Sequence, residues 1–426
     1  MSTTASRPRP FPDDLVLTPV SRRPLRLEEV TLTTILDRPV PTFPARAAES
    51  PVVSVIVATH DNLALLRLCL ESVLAAAEQP CELIVVDNGS TDGTPRYLRE
   101  LAERNPTVQL VRNGSNESFA RACNQGAALA RGEMLLLLND DTVVTHGSFW
   151  RLAAHLDRPG VGMAGPTTNR TGNEAQIDTD YRTWSDLARF AEARAAQHAG
   201  EAFEVQTLTM FCVAMRRELY ELVGPLDERF ETGLLEDDDY SRRVRDCGYL
   251  LVCADDAFVH HFGEASFGKL VASGEYGRLL QANRARFEEK WCEPWQPYKR
   301  RHGRHYRALA ERLRKAVIET VPADSSVLVV SRGDDELLQI DGRSARHFPR
   351  GDDSGYAGHH PADSREAIAR LEAERAAGAQ YIVFPATGSW WLEHYGALRR
   401  HLDDRYGRSF SDPETCVIFD LARDGE

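Results

Sequence analysis

The stretch VVSVIVAT (52–59), followed by LALLRLCLESVLAAA (63–77), decides the fold of this chain. Its first part is a continuous apolar, β-branched run, which is typical of a strand buried on both faces. Its second part repeats leucine at helical spacing and predicts a helix. The same alternation continues through strands at 82–90, 108–113 and 133–141 and helices at 94–104 and 119–131. The sequence therefore predicts an α/β fold with a mostly parallel sheet flanked by helices.

A chain of 426 residues allows two or three domains. We predict an N-terminal arm (1–50), a main α/β domain (51–275), a helical linker (276–322) and a smaller α/β accessory domain (323–426). The last domain begins with VLVVSRGD (327–334) but shows no G-x-G-x-x-G nucleotide motif. Its Trp390 and Trp391 are expected to pack within the protein or to support a homo-oligomer, and sugar stacking is the alternative.

Composition excludes several classes of protein. The formal net charge of −13 argues against a nucleic-acid partner, which would need a basic surface. Eight cysteines without a C-x-x-C pair predict reduced thiols rather than a zinc or redox motif. The N-terminus has no apolar signal-peptide core, and no apolar run reaches membrane-spanning length. We therefore expect a cytoplasmic protein without a transmembrane segment, with peripheral contact to a membrane still open.

Polar residues follow three of the predicted strands. They are Thr59–Asn62 after the first strand, Asp87 after the second, and Asn139–Asp141 after the fourth. Each group alone is explained by turn formation or helix capping. Because ligands of open parallel sheets bind at the carboxyl ends of the strands, their joint placement predicts a binding pocket.

Five motifs occur in order over about residues 50–270. They are VIVATHDN (55–62), VDNGSTDGT (86–94), NESFARACNQG (116–126), LLLLNDDT (135–142) and LLEDDDYSRRVRDCGYLL (234–251). Together they resemble the family-2 glycosyltransferases, which are inverting enzymes with a GT-A fold. The resemblance implies an enzyme of the hexosyltransferase type. It would transfer a sugar from a nucleoside-diphosphate sugar, of the UDP or dTDP type, to a glycan, lipid-linked or small-molecule acceptor.

The resemblance also implies a nucleotide-sugar site. Asp87 would accept a hydrogen bond from the base, at N3–H of uracil or thymine or N1–H of guanine, which disfavours adenine. Arg121 is interpreted as a ligand of ribose or diphosphate or, equally well, as a surface helix residue. The implied binding residues are Thr59, His60, Asn62, Asp87, Asn88, Ser90, Asn116, Arg121, Asn124, Asn139 and Asp140.

A metal site is implied at the end of the fourth strand. Asn139–Asp141 fills the place of the family's D-x-D motif, and carboxylates suit Mg²⁺ or Mn²⁺. Asp141 would bind the metal, while Asp140 would bind ribose or a metal-bound water. Either His260 or His261 would complete the site. Adjacent strand residues point to opposite faces, so only one can, and we favour His260.

The acids Glu236–Asp239 match the family's base motif. An inverting transfer needs one carboxylate to take the proton of the acceptor hydroxyl. We assign Asp237 as the base, with Glu236 as its alternative, and expect Asp238 to be solvated. A helix N-terminus enriched in acids is the simpler explanation for part of this run. A non-catalytic nucleotide-sugar or glycan-binding module is the rival function, and a glycoside hydrolase is a more distant one.

Overall fold

The structure, a computed structural model, describes residues 10–17, 29–43, 52–77, 80–263, 275–296, 304–331, 333–351, 355–357 and 360–422. Described residues up to Trp295 form one compact unit, and those from Gln296 onward form a second. All eight cysteines are free. Within these ranges, no helix combines the length and the apolar character that crossing a membrane requires.

The first unit contains nine strands and nine helices among its described residues. Its strands are β1 (Val53–Thr59), β2 (Cys81–Asp87), β3 (Val108–Arg112), β4 (Met134–Asn139), β5 (Thr142–Val144), β6 (Val161–Thr167), β7 (Ala202–Val205), β8 (Cys212–Arg216) and β9 (Leu250–His261). Its helices are α1 (Glu29–Leu36), α2 (Leu63–Ala76), α3 (Thr94–Arg104), α4 (Phe119–Leu129), α5 (Ser148–Leu156), α6 (Trp184–Gln197), α7 (Arg217–Val223), α8 (Glu236–Asp246) and α9 (Glu275–Trp291).

The strands form one sheet in the order β3-β2-β1-β4-β8-β6-β9-β5, with β7 paired to β9. The first four strands are parallel, as the alternating pattern predicts. Strand β1 lies between β2 and β4, and its Val55, Ile56 and Val57 are fully buried. The predicted α/β fold class is therefore confirmed, and β1 is its buried central element.

The far half of the sheet is mixed. Strand β8 runs antiparallel to β4 and β6, whereas β6 and β9 are parallel. The antiparallel pairs need no helical crossover between them. Residues 142–263 consequently lack the regular strand–helix alternation, and their sequence does not reveal the order of these strands.

Helix α1 packs on the sheet-covering helix α2. Ile35 of α1 lies in one buried cluster with Leu65 and Leu68 of α2. Part of the predicted N-terminal arm is therefore helical and packs on the first unit.

The second unit is a smaller α/β domain, as predicted. It consists of α10 (Arg304–Thr320), β10 (Ser326–Val329), β11 (Ser344–His347), α11 (Ser364–Ala376), β12 (Tyr381–Pro385), α12 (Trp390–His394), α13 (Gly396–Arg405), β13 (Gly407–Asp412) and β14 (Cys416–Asp420). Its sheet has the order β11-β10-β12-β14-β13, and the first three strands are parallel. Trp391 is fully buried in the core of this domain beside Phe348 and Tyr395. This side chain therefore packs inside its own domain and offers no face to a sugar.

The predicted helical linker (276–322) is divided between the units. Helix α9 belongs to the first unit and α10 to the second. Leu313 and Val317 of α10 are fully buried in a cluster with strands of the second domain.

This division predicts where the chain can be truncated. A chain ending after Gln296 keeps every element of the first unit and should unfold cooperatively as a monomer. A chain ending after Val321 should aggregate, because α10 then exposes Leu313 and Val317, each worth about 1.5–3 kcal/mol of burial. Size-exclusion chromatography and thermal melts of the two chains check this. Equal behaviour of both chains would show that α10 folds independently of the second domain.

Candidate functional site

The carboxyl ends of three parallel strands lie side by side in the first unit. Thr59 at the end of β1 pairs with Asp87 at the end of β2, and Ala58 pairs with Asn139 at the end of β4. Thr59, Asp87, Asp140 and Asp141 are all buried. The register therefore brings the three predicted polar groups to one edge of the sheet.

The two carboxylate oxygens of Asp87 have different environments. Its Oδ1 accepts a hydrogen bond from the backbone N–H of Ser90 at 2.8 Å, which closes the turn after β2. Among the described residues, no hydrogen-bond donor satisfies the buried Oδ2, although Arg112 Nε lies 3.5 Å away. A buried carboxylate oxygen without a hydrogen bond is costly, so this oxygen is suited to accept a ligand N–H.

Asp140 is held by the loop that follows β1. Its Oδ2 accepts a hydrogen bond from the hydroxyl of Thr59 at 2.6 Å, and its Oδ1 accepts one from Nδ2 of Asn62 at 3.1 Å. Three predicted binding residues therefore contact one another, and the Asp140 carboxylate has a fixed orientation. Thr59 and Asn62 act on any ligand mainly through Asp140.

Asp141 faces His261. The distance between Asp141 Oδ1 and His261 Nε2 is 3.3 Å, and no hydrogen bond within the described ranges satisfies this buried oxygen. The antiparallel pairing of β5 and β9 places Thr142 opposite His261, and Phe262 N–H donates to the carbonyl of Asp141. Burial alone would raise the pKa of Asp141, but the adjacent His261 and Arg170 lower it overall.

The orientation of His261 fits a metal ligand. Its Nδ1 lies 2.8 Å from the carbonyl oxygen of Arg170, which can only accept, so Nδ1 carries the hydrogen. Nε2 faces Asp141: it donates to the carboxylate when the ring is protonated and offers its lone pair when the ring is neutral, as it would be beside a metal. The ring stacks on Phe211 at 4.8 Å. Ligands of divalent cations typically include a histidine whose other ring nitrogen donates to a backbone carbonyl. His261 is such a histidine, and the Asp141 carboxylate beside it is a second suitable ligand.

The preference for His260 as the metal ligand does not fit this structure, which turns His261 toward Asp141. His260 Nδ1 lies 2.7 Å from the hydroxyl of Tyr181, and the ring packs against Phe262 in the core. Burial lowers the pKa of His260 to about 3, so the ring is neutral. Adjacent residues do point to opposite faces, as expected, but the pairing with β5 directs His261 to the site.

The four acids at the start of α8 have separate environments. Asp239 is fully buried and accepts hydrogen bonds from Trp291 Nε1 at 3.0 Å and from Arg243 Nε at 3.0 Å. Asp238 accepts hydrogen bonds from Trp295 Nε1 at 2.9 Å and from the hydroxyl of Thr207 at 3.0 Å. The expectation that Asp238 is solvated is therefore wrong, because these partners come from distant segments.

Glu236 and Asp237 differ from these two acids: Asp237 Oδ1 accepts a hydrogen bond from the backbone N–H of Asp238 at 2.9 Å, and within the described part of the chain Glu236 Oε2 is buried without a hydrogen bond. Burial and the nearby charge of Asp238 raise the pKa of Glu236 to about 7. Burial, followed by the charges of Asp238 and Glu236, raises the pKa of Asp237 well above its usual range. Leu235, just before them, has φ +71, a strained conformation for a branched residue that recurs at functional sites. The start of α8 is thus equipped to take up a proton.

Tyr276 on α9 is a further residue near Asp237 at the start of α8. Burial and the charge of Asp237 raise its pKa. No motif in the sequence identifies it, because it lies 39 positions after Asp237 in an ordinary helical segment.

Glu236 predicts a pH-dependent stability. Its folded-state pKa of about 7 lies above the unfolded value of 4.5, so the folded protein holds this proton more tightly. The resulting stabilisation is present below about pH 4.5 and is lost as pH rises through 7. Glu236→Gln should therefore raise the free energy of unfolding relative to wild type by about 3 kcal/mol at pH 8 and little at pH 4. Urea unfolding at both pH values measures it. Glu221→Gln, on the exposed side of α7, is the control, and a pH-independent difference would contradict the prediction.

The remaining predicted residues are used in different ways. His60 Nδ1 contacts the carbonyl of Asn88 at 3.0 Å, and the side chain of Asn88 bonds to Asn113 and to the carbonyl of Glu117. Ser90 Oγ accepts a hydrogen bond from Asp61 N–H, at the φ +48 turn after β1. These contacts tie together the loops that surround the strand ends.

Three predicted residues belong to the α4 region. Asn116 is exposed, and Arg121 is an exposed helix residue whose Nη1 lies 3.5 Å from Glu117. Both oxygen and nitrogen of the Asn124 side chain bind the segment around Leu226. The structure therefore gives Asn124 a role in the fold.

Sequence reasoning missed the residues that hold the acids of α8. Lys290 Nζ lies 2.6 Å from Asp239 and 2.8 Å from Asp227, beside the indoles of Trp291 and Trp295. The segment KWCEPW (290–295) carries all three donors. Two tryptophans and a lysine at the end of α9 and just beyond it were the available signal.

A family model agrees with this geometry. Residues 54–224 match the model described as "Glycosyl transferase family 2". The match covers β1 to α7 and thus includes Asp87, Asp140 and Asp141, while α8 and β9 lie beyond it.

Similar proteins include three curated relatives. Over 229 residues the chain is 29% identical to the uncharacterized protein y4gI of Sinorhizobium fredii, covering 51% of this chain and 25% of that protein. It is 33% identical over 135 residues to the O-antigen biosynthesis protein RfbC of Myxococcus xanthus, covering 31% and 10%. It is 27% identical over 254 residues to an N-acetylglucosaminyl-diphospho-decaprenol L-rhamnosyltransferase of Mycobacterium tuberculosis, covering 52% and 80%. The chain thus spans a minor part of the first two relatives.

Similar solved structures are more distant. One is the mannosyltransferase PcManGT of Pyrobaculum calidifontis in complex with GDP-Man and Mn²⁺, with a TM-score of 0.42 and 20% identity, covering 60% of this chain and 68% of that one. Another is residues 1–349 of S. aureus TarS with UDP-GlcNAc, with a TM-score of 0.38 and 16% identity, covering 55% and 72%.

Proposed function

We propose that this chain, whose residues 54–224 belong to glycosyl transferase family 2, is an inverting glycosyltransferase. It would move a sugar from a nucleoside-diphosphate sugar to an acceptor hydroxyl by single displacement. The observation that carries the proposal is the Asp141–His261 pair, at the strand edge that also holds Asp87 and Asp140.

Asp87 supports a donor with a uridine or thymidine base. Its unsatisfied Oδ2 can accept the N3–H of either base, and guanine can offer N1–H in the same way. Adenine has no N–H at the corresponding ring position, and it would leave the carboxylate without a partner. A UDP or dTDP sugar is therefore the proposed donor, with GDP sugars as the next candidates.

Asp141 and His261 would hold Mg²⁺ or Mn²⁺ against the diphosphate of the donor. When bound, such a cation stabilises the charge that develops on the leaving nucleoside diphosphate. Asp140, fixed by Thr59 and Asn62, supplies a second oriented carboxylate for the ribose or for a coordinated water.

Asp237 would act as the base. Its raised pKa means that the carboxylate gains by accepting the proton of an acceptor hydroxyl while that oxygen attacks the anomeric carbon. One base and one stabilised leaving group are sufficient for single displacement, which inverts the anomeric configuration. The name of the mycobacterial rhamnosyltransferase points to a lipid-linked sugar as one acceptor class, beside free glycans and small molecules.

A nucleotide titration followed by a turnover assay tests the function. Thermal shifts with UDP, dTDP, GDP and ADP are measured with and without Mn²⁺. A nucleotide at 100-fold excess over its Kd should stabilise the protein by about 2.7 kcal/mol. Mn²⁺ should increase the thermal shift caused by UDP or dTDP. ADP should cause no shift. Slow hydrolysis of the matching sugar nucleotide should follow. Binding without hydrolysis or transfer would favour the non-catalytic module, and no nucleotide response would contradict both functions.

A further inference from the structure

The second domain carries a serine, a histidine and an aspartate in a hydrogen-bonded row. Ser331 follows β10, and His347 ends the neighbouring parallel strand β11. Ser331 Oγ lies 2.6 Å from His347 Nδ1, and His347 Nε2 lies 3.1 Å from Asp335 Oδ1. None of these residues takes part in the site of the first unit.

The hydrogen-bond directions in this row suit Ser331 as a nucleophile, His347 as a base and Asp335 as the acid that orients the base. An ionised Asp335 can only accept, so it binds the N–H at Nε2 of His347 and fixes that tautomer. Nδ1 then presents its lone pair to the hydroxyl of Ser331 and can take the hydroxyl proton. Such a triad is defined by how its three groups are arranged in space, and their order along the chain can differ.

The backbone presents Ser331 on a tight turn at the end of a parallel strand. Ser331 N–H donates to the carbonyl of Val329 at 2.8 Å, and Asp334 N–H donates to the carbonyl of Ser331 at 3.1 Å. Gly333, two positions on, has φ +86, which suits glycine. Nucleophilic serines of α/β enzymes also lie between a strand and a helical turn, here Asp335–Leu338, although Val329 stands where their G-x-S-x-G motif has its first glycine.

We propose that Ser331, His347 and Asp335 form a catalytic triad that hydrolyses a small acyl ester. The Ser331 oxygen bonds to the acyl carbon, its proton passes to His347 Nδ1, and the alcohol leaves with that proton. A water then attacks the acyl–serine ester, gives its proton to His347, and the carboxylic acid departs as the proton returns to Ser331. The net reaction consumes one ester and one water and yields one acid and one alcohol.

The surroundings of Ser331 limit the size of the acyl group. Ser331 is 4% exposed and His347 7% exposed, so little room is left for a group at the hydroxyl, whereas the Asp335 side chain is exposed. The ring of Tyr356 packs over Gly333, where an added Cβ would meet it at 3.1 Å, and lies 6.2 Å from the ring of His347. An acetyl-sized group is therefore the proposed substrate class.

Labelling of the full chain with a small dialkyl fluorophosphonate, mapped by mass spectrometry, tests the proposal. Wild type should gain one adduct, at Ser331, and should hydrolyse p-nitrophenyl acetate. His347→Gln should slow adduct formation by about 10²–10⁴-fold. Ser389→Ala, in the same domain, is the matched control and should react like wild type.

Two results would overturn the proposal. One is folded wild type without an adduct at Ser331, which would mean that the row only fixes the turn to β11. The other is an adduct that forms at the wild-type rate in His347→Gln or in urea-unfolded wild type, since both lack the activated hydroxyl. The unfolded control needs no substitution, so the test stands even if a variant fails to fold.

Discussion

Replacing Asp237 by asparagine is expected to lower turnover by about 10²–10⁴-fold, the usual effect of losing a positioned base. Asparagine is nearly isosteric and keeps hydrogen-bonding capacity, so folding and donor binding should persist. The measurement is single-turnover transfer or donor hydrolysis, together with calorimetric binding of the donor. The anomeric configuration of the wild-type product, read from its NMR coupling constant, should be opposite to that of the donor.

Asp246→Asn is the matched control for this prediction. Asp246 ends the same helix and is exposed, so its substitution removes the same charge without touching the site. Near-wild-type turnover of Asp237→Asn, or a product that retains the donor configuration, would refute the assignment of the base. A large loss in Asp246→Asn would instead implicate the net charge of α8.

Loss of Asp141 is expected to abolish the part of nucleotide affinity that depends on metal. Substituting residues around a metal ligand typically weakens metal binding by about 10–100-fold, and removal of the ligand itself should do at least as much. Asp141→Ala should therefore bind UDP equally with and without Mn²⁺ in calorimetry. The wild-type difference between these two titrations is the quantity to compare.

The two histidines provide an internal comparison. His261→Gln should reduce the metal-dependent affinity, because His261 Nε2 faces Asp141. His260→Gln should keep it, although the loss of the contact with Tyr181 should lower the melting temperature. Metal dependence that survives Asp141→Ala, or that is lost only in His260→Gln, would show that the site is elsewhere.

The sequence predicts those parts of the molecule whose signals are local. A continuous apolar run such as 52–59 is diagnostic of a central parallel strand, and the register of such strands follows from their burial. The convergence of Asp87 and Asp141 at one edge could therefore be predicted. The mixed half of the sheet could not, because the pairing of β8 with both β4 and β6 depends on contacts distant in sequence.

The two histidines illustrate the same limit at a single site. Strand alternation predicts that only one of His260 and His261 faces the end of β4, and in the structure His261 faces Asp141. Which one does so depends on the pairing of Thr142 with His261, and no periodicity within FVHH contains that information. Likewise, the environment of Asp238 is set by Trp295, which lies 57 positions away.

The anchoring of α8 by Trp291 and Trp295 bears on the order in which the site forms during synthesis. The indole donors lie 52 and 57 positions after the acids they bind. Chains fold from the N-terminus as they emerge, so the strands that carry Asp87 and Asp141 can pair well before these tryptophans are available. Until residue 295 has been made, Asp238 has only its bond from Thr207, and Asp239 has its bond from Arg243 before that from Trp291 becomes possible. The strand edge that holds Asp87 and Asp140 can thus form early on the ribosome, whereas His261 and the two tryptophans become available only near the end of the first unit.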